Sequence, residues 1–554
     1  MKKIKLILAT LLFLLLAISP LFANNATITS IYPTGRDATA GTMNFSTTLS
    51  WNNAWNGGVN HDALWVFMKY YDPATSTWKH AMMSTSGLNP TGYTKTPSGY
   101  DIIVPEDKTG FLLRLSKSAA GGGSQAQTAS TTVSFKWDYG SSGVNPDQVA
   151  NFKLFAIEMV YIPEGSFAAG DLAAVSSSTP PSPMSSAALT MYFTEMSSSG
   201  SYTRWHASPW KIKSEAPISV PGYTPGRNDI IAPTDPAYAY NSAGNPDENA
   251  SGAAFTVSSQ FPKGYKAFYL MKHEISQGLY RDFLNTLTNT TAGAHCAAVA
   301  VGTGRFCDSA ASKAPVIQQN VLYINATPTF GADANDNGTP NEAADGEWVA
   351  MNFMAWKDLA AFLDWAALRP MTELEYEKAA RGPSTALPIA NEYPWGNANS
   401  YAPATTIYNV DAANASVNQG NNNNAAVTMG YPFRVGIFAT GSATRITSGA
   451  GYYGNFDLAG NVAEMTVTIG TPEGRIFQGS HGDGFLTSAG QAENLDWPSS
   501  SALGAGNRGG SFATSASRLY ISDRFTACSS SAVVNRTSSN GGRGVRTAPS
   551  FAAP

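Results

Sequence analysis

The chain has little charge for its length. Only 13% of its 554 residues are Asp, Glu, Lys or Arg, against about 25% in an ordinary soluble domain. The net charge is -4, and Lys and Arg form no cluster. Nucleic acid and anionic membranes are recognised through basic patches, so we expect neither as a partner. Aromatic residues make up 11% of the chain, which is typical of a folded protein.

Cysteine is also scarce, with three residues in the chain. Cys296 and Cys307 are close in sequence, and a disulfide that closes the loop between them is the simpler interpretation. Cys528 is then left over, either as a buried thiol or as a reactive or intermolecular one. No Cys-x-x-Cys or Cys/His cluster suggests zinc. His481 and Asp483 share a glycine-rich stretch, which we interpret as a solvated turn, with a catalytic pair as the alternative.

Long apolar runs are missing except at the start of the chain. Three lysines precede a mostly apolar run at residues 6–22, and a small-residue cleavage site follows it. This pattern predicts a secretory signal peptide over residues 1–23. A membrane anchor is the alternative, because the run is nearly long enough to span a bilayer. We expect a secreted, extracellular or cell-surface protein, with the periplasm also open, and no transmembrane segment after cleavage.

Residues 24–155 alternate between short apolar runs and turn-forming residues. The runs at 63–71, 110–115 and 131–137 lie among Gly, Pro, Asn, Asp and Ser. Repeated strands with turn signals and no helical period predict an all-β sandwich of the immunoglobulin-like kind. No residue of this domain suggests a chemical role.

Residues 156–550 predict a second domain, of mixed α and β structure. A stretch rich in Ser, Pro and Ala at about 172–260 predicts a long insertion within it. Outside a few helices the sequence indicates loops and short strands. We therefore expect an α+β domain with little regular secondary structure.

Three helices are expected in this second domain. Ser276 can cap a helix whose apolar residues recur at three- and four-residue spacing, and residues 356–363 repeat the pattern. The third helix has the clearest ends. Thr372 and Glu375 form a capping box at its start, and Gly382 can end it in a left-handed conformation.

Seven separated motifs occur in one order along the second domain. They are MVYIPEGSF at 159–167, FYLMKHEIS at 268–276, LRPMTELEYEKAARG at 368–382, YPWGN at 393–397, DLAGNVAEM at 457–465, RGGSF at 508–512 and RGVR at 543–546. Together they resemble the formylglycine-generating enzyme (sulfatase-modifying factor) superfamily over about residues 156–549. The resemblance implies a variant of the C-type-lectin-like fold, with long loops held by buried salt bridges, aromatic packing and calcium.

The resemblance also marks a departure from that family's enzymes. Those enzymes bind copper through two cysteines after the Gly-Gly-Ser turn, and they oxidise a substrate cysteine to formylglycine. Thr514 and Leu519 stand at the matching positions, and Ala463 replaces the usual tryptophan. Monovalent copper prefers thiolate ligands, which neither side chain offers. Ser511 is retained, but a serine in such a turn is more often structural. We predict a degenerate site with no catalytic residue.

Iron is not expected either. Relatives that use non-haem iron bind it through two or three histidines, and this chain has six histidines without a His-x-x-x-His pair or a two-His-one-carboxylate spacing. Copper and iron are therefore both unexpected cofactors. A metal-dependent enzyme with an altered site stays as an alternative.

Calcium is the expected cofactor. The resemblance places side-chain ligands at Asp457 and Glu464 and backbone carbonyl ligands at Gly460 and Val462. Oxygen ligands around a turn suit this hard cation. The alternative is that the two carboxylates only cap a turn.

A second acidic stretch resembles the start of an EF-hand loop, with Asp333, Asn335, Asn337 and Asp345 as candidate ligands. It lacks the closing glutamate, because Ala344 stands at the twelfth position. A calcium hairpin and a solvated acidic loop both fit this pattern.

These observations favour a non-catalytic protein at the cell surface. Its expected partners are a glycan or protein ligand, or other copies of itself. Two alternatives remain: an oxidoreductase or protein-modifying enzyme with an altered metal centre, and a structural subunit of a surface layer or filament.

Overall fold

The computed structural model describes residues 26–117, 127–149, 151–170, 210–220, 247, 253–295, 317–324, 327–332, 339, 341–383, 388–424 and 430–551. The predicted signal peptide, the cysteines Cys296 and Cys307, and most of the predicted insertion lie outside these residues. No helix in the described ranges has the length and apolar character needed to cross a membrane.

Strands dominate the described part of the chain. The strands of the first half are β1 (Thr27–Ile28), β2 (Tyr32–Asp37), β3 (Thr42–Ala54), β4 (Asp62–Asp72), β5 (Thr77–Ala81), β6 (Gly87–Leu88), β7 (Thr94–Thr96), β8 (Tyr100–Val104), β9 (Phe111–Leu115), β10 (Gln127–Asp138), β11 (Phe152–Ile162), β12 (Phe167–Ala169), β13 (Trp210–Ile212), β14 (Ile218–Val220), β15 (Phe255–Val257) and β16 (Phe268–Met271). Those of the second half are β17 (Ile317–Ile324), β18 (Thr327–Ala332), β19 (Arg369–Pro370), β20 (Ile407–Tyr408), β21 (Ser416–Val417), β22 (Ala463–Val467), β23 (Ala505–Arg508), β24 (Asn540–Gly541) and β25 (Gly544–Thr547).

Helices are short and few within the same ranges. They are α1 (Gln277–Leu284), α2 (Asn289–His295), α3 (Trp356–Trp365), α4 (Glu373–Arg381), α5 (Pro472–Arg475) and α6 (Ser530–Val533). Two 3-10 turns at Pro146–Gln148 and Ala516–Leu519 add to them. The expectation of an α+β domain with little regular structure is met in this coarse sense, since loops make up most of the described residues 388–424 and 430–551.

The N-terminal region is rich in strands, and its two sheets share one core. The first sheet has the order β1-β3-β10-β7, with β2 pairing beside β1 on the same edge of β3. Phe45 on β3 packs edge-on against Phe152 on β11, with ring centroids 4.7 Å apart. Tyr70 on β4 packs on Trp137 of β10 at 4.8 Å. These aromatic contacts close the space between the sheets.

The second sheet continues from the N-terminal region into the second domain. Its order is β19-β25-β16-β11-β4-β9-β8-β6, with β5 also paired to β4. β11 pairs with β4 on one side, from Phe152↔Tyr70 onward, and with β16 on the other, from Met159↔Met271 onward. The predicted boundary between residues 155 and 156 therefore falls inside a strand that belongs to both regions.

β4 is apolar along most of its length because both of its faces are covered. Leu64 and Val66 lie in the core shared by the two N-terminal sheets. Trp65 and Phe67 point the other way, into the core that contains the helices. The Trp65 indole nitrogen donates to the Ala366 carbonyl oxygen at 2.8 Å, at the end of α3. A continuous apolar run indicates a strand covered on both sides, and here helices provide the second cover.

The three expected helices form, and the end signals predicted for α1 and α4 lie at the ends of those helices. Ser276 caps α1 by accepting from the Leu279 amide at 3.2 Å. Thr372 and Glu375 form a reciprocal capping box at the start of α4. Gly382 ends that helix with φ 97° and ψ -165°, which is not the predicted left-handed helical conformation but is one that a residue with a side chain rarely adopts.

Part of the predicted insertion packs into the core. β13 pairs with β12, and β14 pairs with β15. Trp210 and Ile212 of β13 are buried against the same core as the helices. The described residues 210–220 are thus integrated strands, not a loop that stands apart from the domain.

A buried network of ion pairs holds the loops on α4. Glu373 accepts from Arg508 at 2.9 Å and from Arg524 at 2.7 Å, and Arg508 also reaches Glu377 at 2.8 Å. None of these side chains is exposed to solvent. Burial alone would raise the pKa of Glu373, but Arg524 and Arg508 hold it below its usual value. The network supports the expectation of loops fixed by buried salt bridges.

Candidate functional site

The glycine-rich turn after β23 is set by close backbone contacts. β23 pairs with β22 from Glu464↔Arg508 to Val467↔Ala505 and delivers the chain to Gly509. Gly509 has a φ of 78°, and a Cβ atom there would lie 2.2 Å from the Leu458 carbonyl oxygen. The turn therefore needs glycine for its own geometry, whether or not it carries a reaction.

Ser511 and Thr514 are joined by hydrogen bonds within one turn. The Thr514 hydroxyl oxygen accepts from the Ser511 amide at 2.8 Å and donates to the Ser511 carbonyl oxygen at 3.0 Å. The buried Ser511 hydroxyl accepts from the Ala513 amide at 3.2 Å. Both hydroxyls thus close a local turn, a common role of Ser and Thr.

Leu519 is enclosed by aromatic rings. It ends the 3-10 turn Ala516–Leu519, has no exposed surface, and packs with Tyr393, Trp395 and Ala459. Tyr393 stacks on Trp395 with ring centroids 4.5 Å apart. Such surroundings offer Leu519 apolar contacts and give a soft metal ion no ligand at this position.

Ala463 begins β22 beside this turn. Its amide donates to the Ser539 carbonyl oxygen at 2.8 Å, and the residue pairs in parallel register with Asn540. The side chain is buried. Ala463 is thus a packed strand residue, next to Glu464.

Three buried carboxylates converge near Arg543. Glu464 accepts from Arg543 Nε at 2.6 Å, and the Asp457 backbone carbonyl oxygen accepts from Arg543 Nη2 at 3.1 Å. Glu274 accepts from the Val462 amide at 3.0 Å and from the Asn461 amide group at 2.5 Å. Burial first, and then the charges of Asp457 and Glu464, raise the pKa of Glu274 well above its usual value.

This cluster fits a calcium ion on two observations. Glu464 Oε2 is buried and has no hydrogen-bond partner among the described residues. Burial raises the pKa of both Asp457 and Glu464 even though Arg543 lies close to them. Calcium accepts carboxylate and carbonyl oxygens. Asp457 Oδ2 already accepts from the Gly436 amide at 2.6 Å, which leaves Oδ1 as its candidate ligand atom.

The backbone around the predicted calcium ligands has an unusual conformation. Asp457, Gly460 and Asn461 have φ values of 57°, 84° and 55°. Asp and Asn tolerate this left-handed region better than most residues with side chains. A Cβ atom at Gly460 would lie 2.4 Å from the Asn423 carbonyl oxygen. The turn that presents the Gly460 and Val462 carbonyls thus depends on its glycine.

The second predicted calcium loop is described only at its end. Asp333, Asn335 and Asn337 lie outside the described residues. Asp345 is buried, and its carboxylate accepts from the Glu342 amide at 2.5 Å. In the described ranges, no group of three His, Cys, Asp or Glu side chains could hold a metal ion. Glu274, Asp457 and Glu464 are therefore not a three-carboxylate ligand set by themselves, and calcium at the first site would also need the backbone carbonyls of Gly460 and Val462.

Two other residues singled out in the sequence make contacts inside the domain. The Cys528 thiol is buried 3.1 Å from the Thr468 hydroxyl, and Arg524 lies 3.2 Å from it. His481 Nε2 accepts from the Thr547 amide at 2.9 Å. Burial and the nearby charges of Arg546 and Arg369 lower the pKa of His481 well below its usual value. It is held in a backbone contact and makes no close pair with Asp483.

Sequence reasoning missed Glu274 as a member of the carboxylate cluster. The residue stands in the motif FYLMKHEIS, in which Lys272 and Glu274 follow four apolar residues. A carboxylate at the end of a buried strand is the available signal, because such a group is rarely buried without a partner.

A domain in which buried ion pairs and glycine turns position long loops matches a known family model. The model describes the sulfatase-modifying factor enzyme 1-like domain, and it matches residues 244–548, more than half of the chain. The protein belongs to this sulfatase-modifying factor family. The match includes the Arg508 turn, Thr514, Leu519 and the Asp457 cluster, whereas the motif at 159–167 precedes it. No curated protein matches the chain.

Proposed function

We propose that the protein is a non-catalytic member of its family that binds a ligand or assembles with other copies at the cell surface. The observation that carries the proposal is the environment of Thr514 and Leu519. The Thr514 hydroxyl makes two hydrogen bonds within the Ser511 turn. Leu519 is buried in a cluster with Tyr393 and Trp395. Neither position supplies the thiolate that copper chemistry needs.

An activity assay tests this proposal. The mature protein is incubated with copper, oxygen, a thiol reductant and a peptide that carries the cysteine substrate of the family's enzymes. Mass spectrometry then follows conversion of that cysteine to formylglycine. We expect no conversion above that in protein-free buffer. Turnover that requires copper and the folded protein would contradict a non-catalytic role.

We also propose that calcium is the structural cofactor. Asp457 and Glu464 would supply side-chain oxygens, and Gly460 and Val462 would supply carbonyl oxygens. The unpartnered Glu464 Oε2 supports the assignment. When bound, calcium would offset the mutual repulsion of these carboxylates and fix the loop beside the Ser511 turn. Asp345 could contribute to a second calcium site with Asp333, Asn335 and Asn337.

The surface location is likewise part of the proposal. Its support is the predicted signal peptide and the low charge of the chain. A neutral glycan or a protein is the expected ligand. The immunoglobulin-like topology of residues 24–155 is supported by two sheets that share an aromatic core.

Assembly into a layer or filament is the second candidate function, and one edge strand favours it. All six residues of β2 (Tyr32–Asp37) are exposed, and the strand pairs with β3 alone among the described strands. An exposed edge strand can pair with a strand of another copy.

Electron microscopy and sedimentation of the purified protein in calcium test this candidate. Assembly through β2 should be weakened by Thr34→Lys, because a charge on an edge strand opposes pairing. Thr85→Lys, at an exposed position outside the strands, is the matched control. Dispersed monomers of the unmodified protein at high concentration would contradict autonomous assembly.

A further inference from the structure

Three charged side chains meet on one face of the sheet where the N-terminal region joins the family domain. Asp62 begins β4, Glu158 lies on β11, and Lys272 directly follows β16. β4 and β16 pair with opposite edges of β11, so that Asp62 and Leu270 both lie opposite Val160. The Lys272 amide donates to the Glu158 carbonyl oxygen at 2.9 Å. Side chains two residues apart along a strand share a face, so this pairing brings the three groups together.

One ammonium group lies between two carboxyl groups. Lys272 Nζ donates to Asp62 Oδ2 at 3.1 Å and lies 3.3 Å from Glu158 Oε2. Lys272 and Asp62 are buried, and the Glu158 side chain is 8% exposed. Asp62 Oδ1 accepts from the Trp55 amide at 3.0 Å, which holds the carboxylate in place. The amine nitrogen thus contacts an oxygen bonded to the Asp62 carbon, and reacting atoms in a near-attack arrangement lie about 3–3.5 Å apart.

Glu158 is the carboxyl group in excess. Its Oε2 atom is buried and has no hydrogen-bond partner among the described residues, although the ammonium group lies close. Burial raises the pKa of Glu158, and the charge of Asp62 adds to the rise against the opposite effect of Lys272. A carboxyl group with a raised pKa carries a proton that it can donate, which is the requirement for a general acid.

The Lys272–Asp62 pair is ionised before any reaction. Burial alone would lower the pKa of Lys272, but the charges of Asp62 and Glu158 raise it. Burial raises the pKa of Asp62 in spite of Lys272. A buried ion pair has lost the hydration of both charges. Transfer of one proton from the ammonium group to the carboxylate gives a neutral amine beside a neutral acid, and the two charges disappear from the buried site.

We propose that Lys272 and Asp62 form an intramolecular amide cross-link, with Glu158 as the proton shuttle. The neutral Lys272 nitrogen attacks the Asp62 side-chain carbon and forms a C–N bond. Glu158 donates its proton to the hydroxyl oxygen of Asp62, the C–O bond breaks, and this oxygen leaves as water. Glu158 then takes one proton from the new amide nitrogen and returns to its acid form.

The reaction converts one ammonium group and one carboxylate into one amide and one water, so it needs no oxidant or activating group. Glu158 also lines a cleft through which the water can leave. The cross-link would tie the N-terminal region to the family domain, because Lys272 lies within the matched residues 244–548 and Asp62 does not. It does not depend on the function proposed above.

Mass spectrometry of the mature, full-length protein tests the proposal, with the N-terminus identified from its own tryptic peptide. We expect the intact mass to be lower than the mass of the sequence by one water. Trypsin should leave Lys272 uncut and release residues 37–69 joined to residues 267–281 as one branched peptide. Lys79 is the internal control. It lies 2.7 Å from Asp72, but 33% of its side chain is exposed, and trypsin should cleave after it.

Three variants distinguish a cross-link from an ion pair. Lys272→Arg keeps the positive charge without the amine, and Glu158→Gln keeps the shape without the acid, so both should have the full mass of their sequences. Asp62→Asn should lose ammonia in place of water and reach the same final mass as the unmodified protein, because both reactions give the same amide. Melting temperatures confirm that each variant is folded.

Full sequence mass in the unmodified protein, together with cleavage after Lys272, would overturn the proposal. Loss of water that persists in Lys272→Arg would also overturn it, because the dehydration would then lie elsewhere in the chain. A complete cross-link in Glu158→Gln would refute the role of Glu158 as the proton shuttle.

Discussion

Replacing Leu519 by alanine tests whether this position is part of the packed core. The side chain has no exposed surface and lies against Tyr393 and Trp395. Loss of a buried leucine costs about 2–5 kcal/mol, and the cost is higher where neighbours cannot collapse into the cavity. Stacked rings are rigid, so we expect the free energy of unfolding to fall by about 3–5 kcal/mol in Leu519→Ala.

The assay is equilibrium unfolding in urea, followed by tryptophan fluorescence. Leu495→Ala is the matched control, because Leu495 is 99% exposed and its truncation should change the free energy of unfolding by no more than about 0.5 kcal/mol. A comparably small change in Leu519→Ala would refute the enclosed environment. Such a result would indicate that Leu519 lines an open site and is not part of the packed core.

The other predictions concern the ions and charges of the same domain. Calcium at about 100 times its dissociation constant should add about 2.7 kcal/mol to the free energy of unfolding. Glu464→Gln should abolish this increment, whereas Asp457→Asn should keep part of it. Equal calcium titrations of the unmodified protein and both variants would contradict the site. Arg508→Met leaves Glu373 with one arginine fewer in a fully buried network. Urea unfolding should therefore show that the free energy of unfolding falls by about 3–5 kcal/mol. A decrease below about 1 kcal/mol would argue against the network. Burial and a neighbouring carboxylate raise the pKa of Asp364 to about 7; its contribution to stability is therefore present below the usual pKa of Asp and is lost as the pH rises through about 7. Unfolding titrations of Asp364→Asn should lack that dependence, and parallel curves for the two proteins would contradict it.

Local signals in the sequence predicted the helices well. Ser276, Thr372 and Gly382 lie at the helix ends as expected, because capping depends on residues within one turn of the end. The motifs also identified the family, since glycines such as Gly509 are required by contacts that few other residues allow.

Contacts between segments that are distant in the chain could not be predicted from the sequence. The alternating pattern indicated a sandwich, but it did not indicate that β11 pairs with β4 on one edge and with β16 of the second domain on the other. Glu274 was missed for the same reason. Its partners Val462 and Asn461 are distant in the chain, and no local spacing connects them.

The most direct test of the central claim is a copper titration of the mature protein under reducing conditions. The claim is that Thr514 and Leu519 leave no copper site beside the Ser511 turn. We expect monovalent copper to bind the unmodified protein no more tightly than it binds a Cys528→Ser variant. This variant controls for the buried thiol. One equivalent of tightly bound copper, retained in Cys528→Ser and lost when the Ser511 turn is altered, would contradict the account.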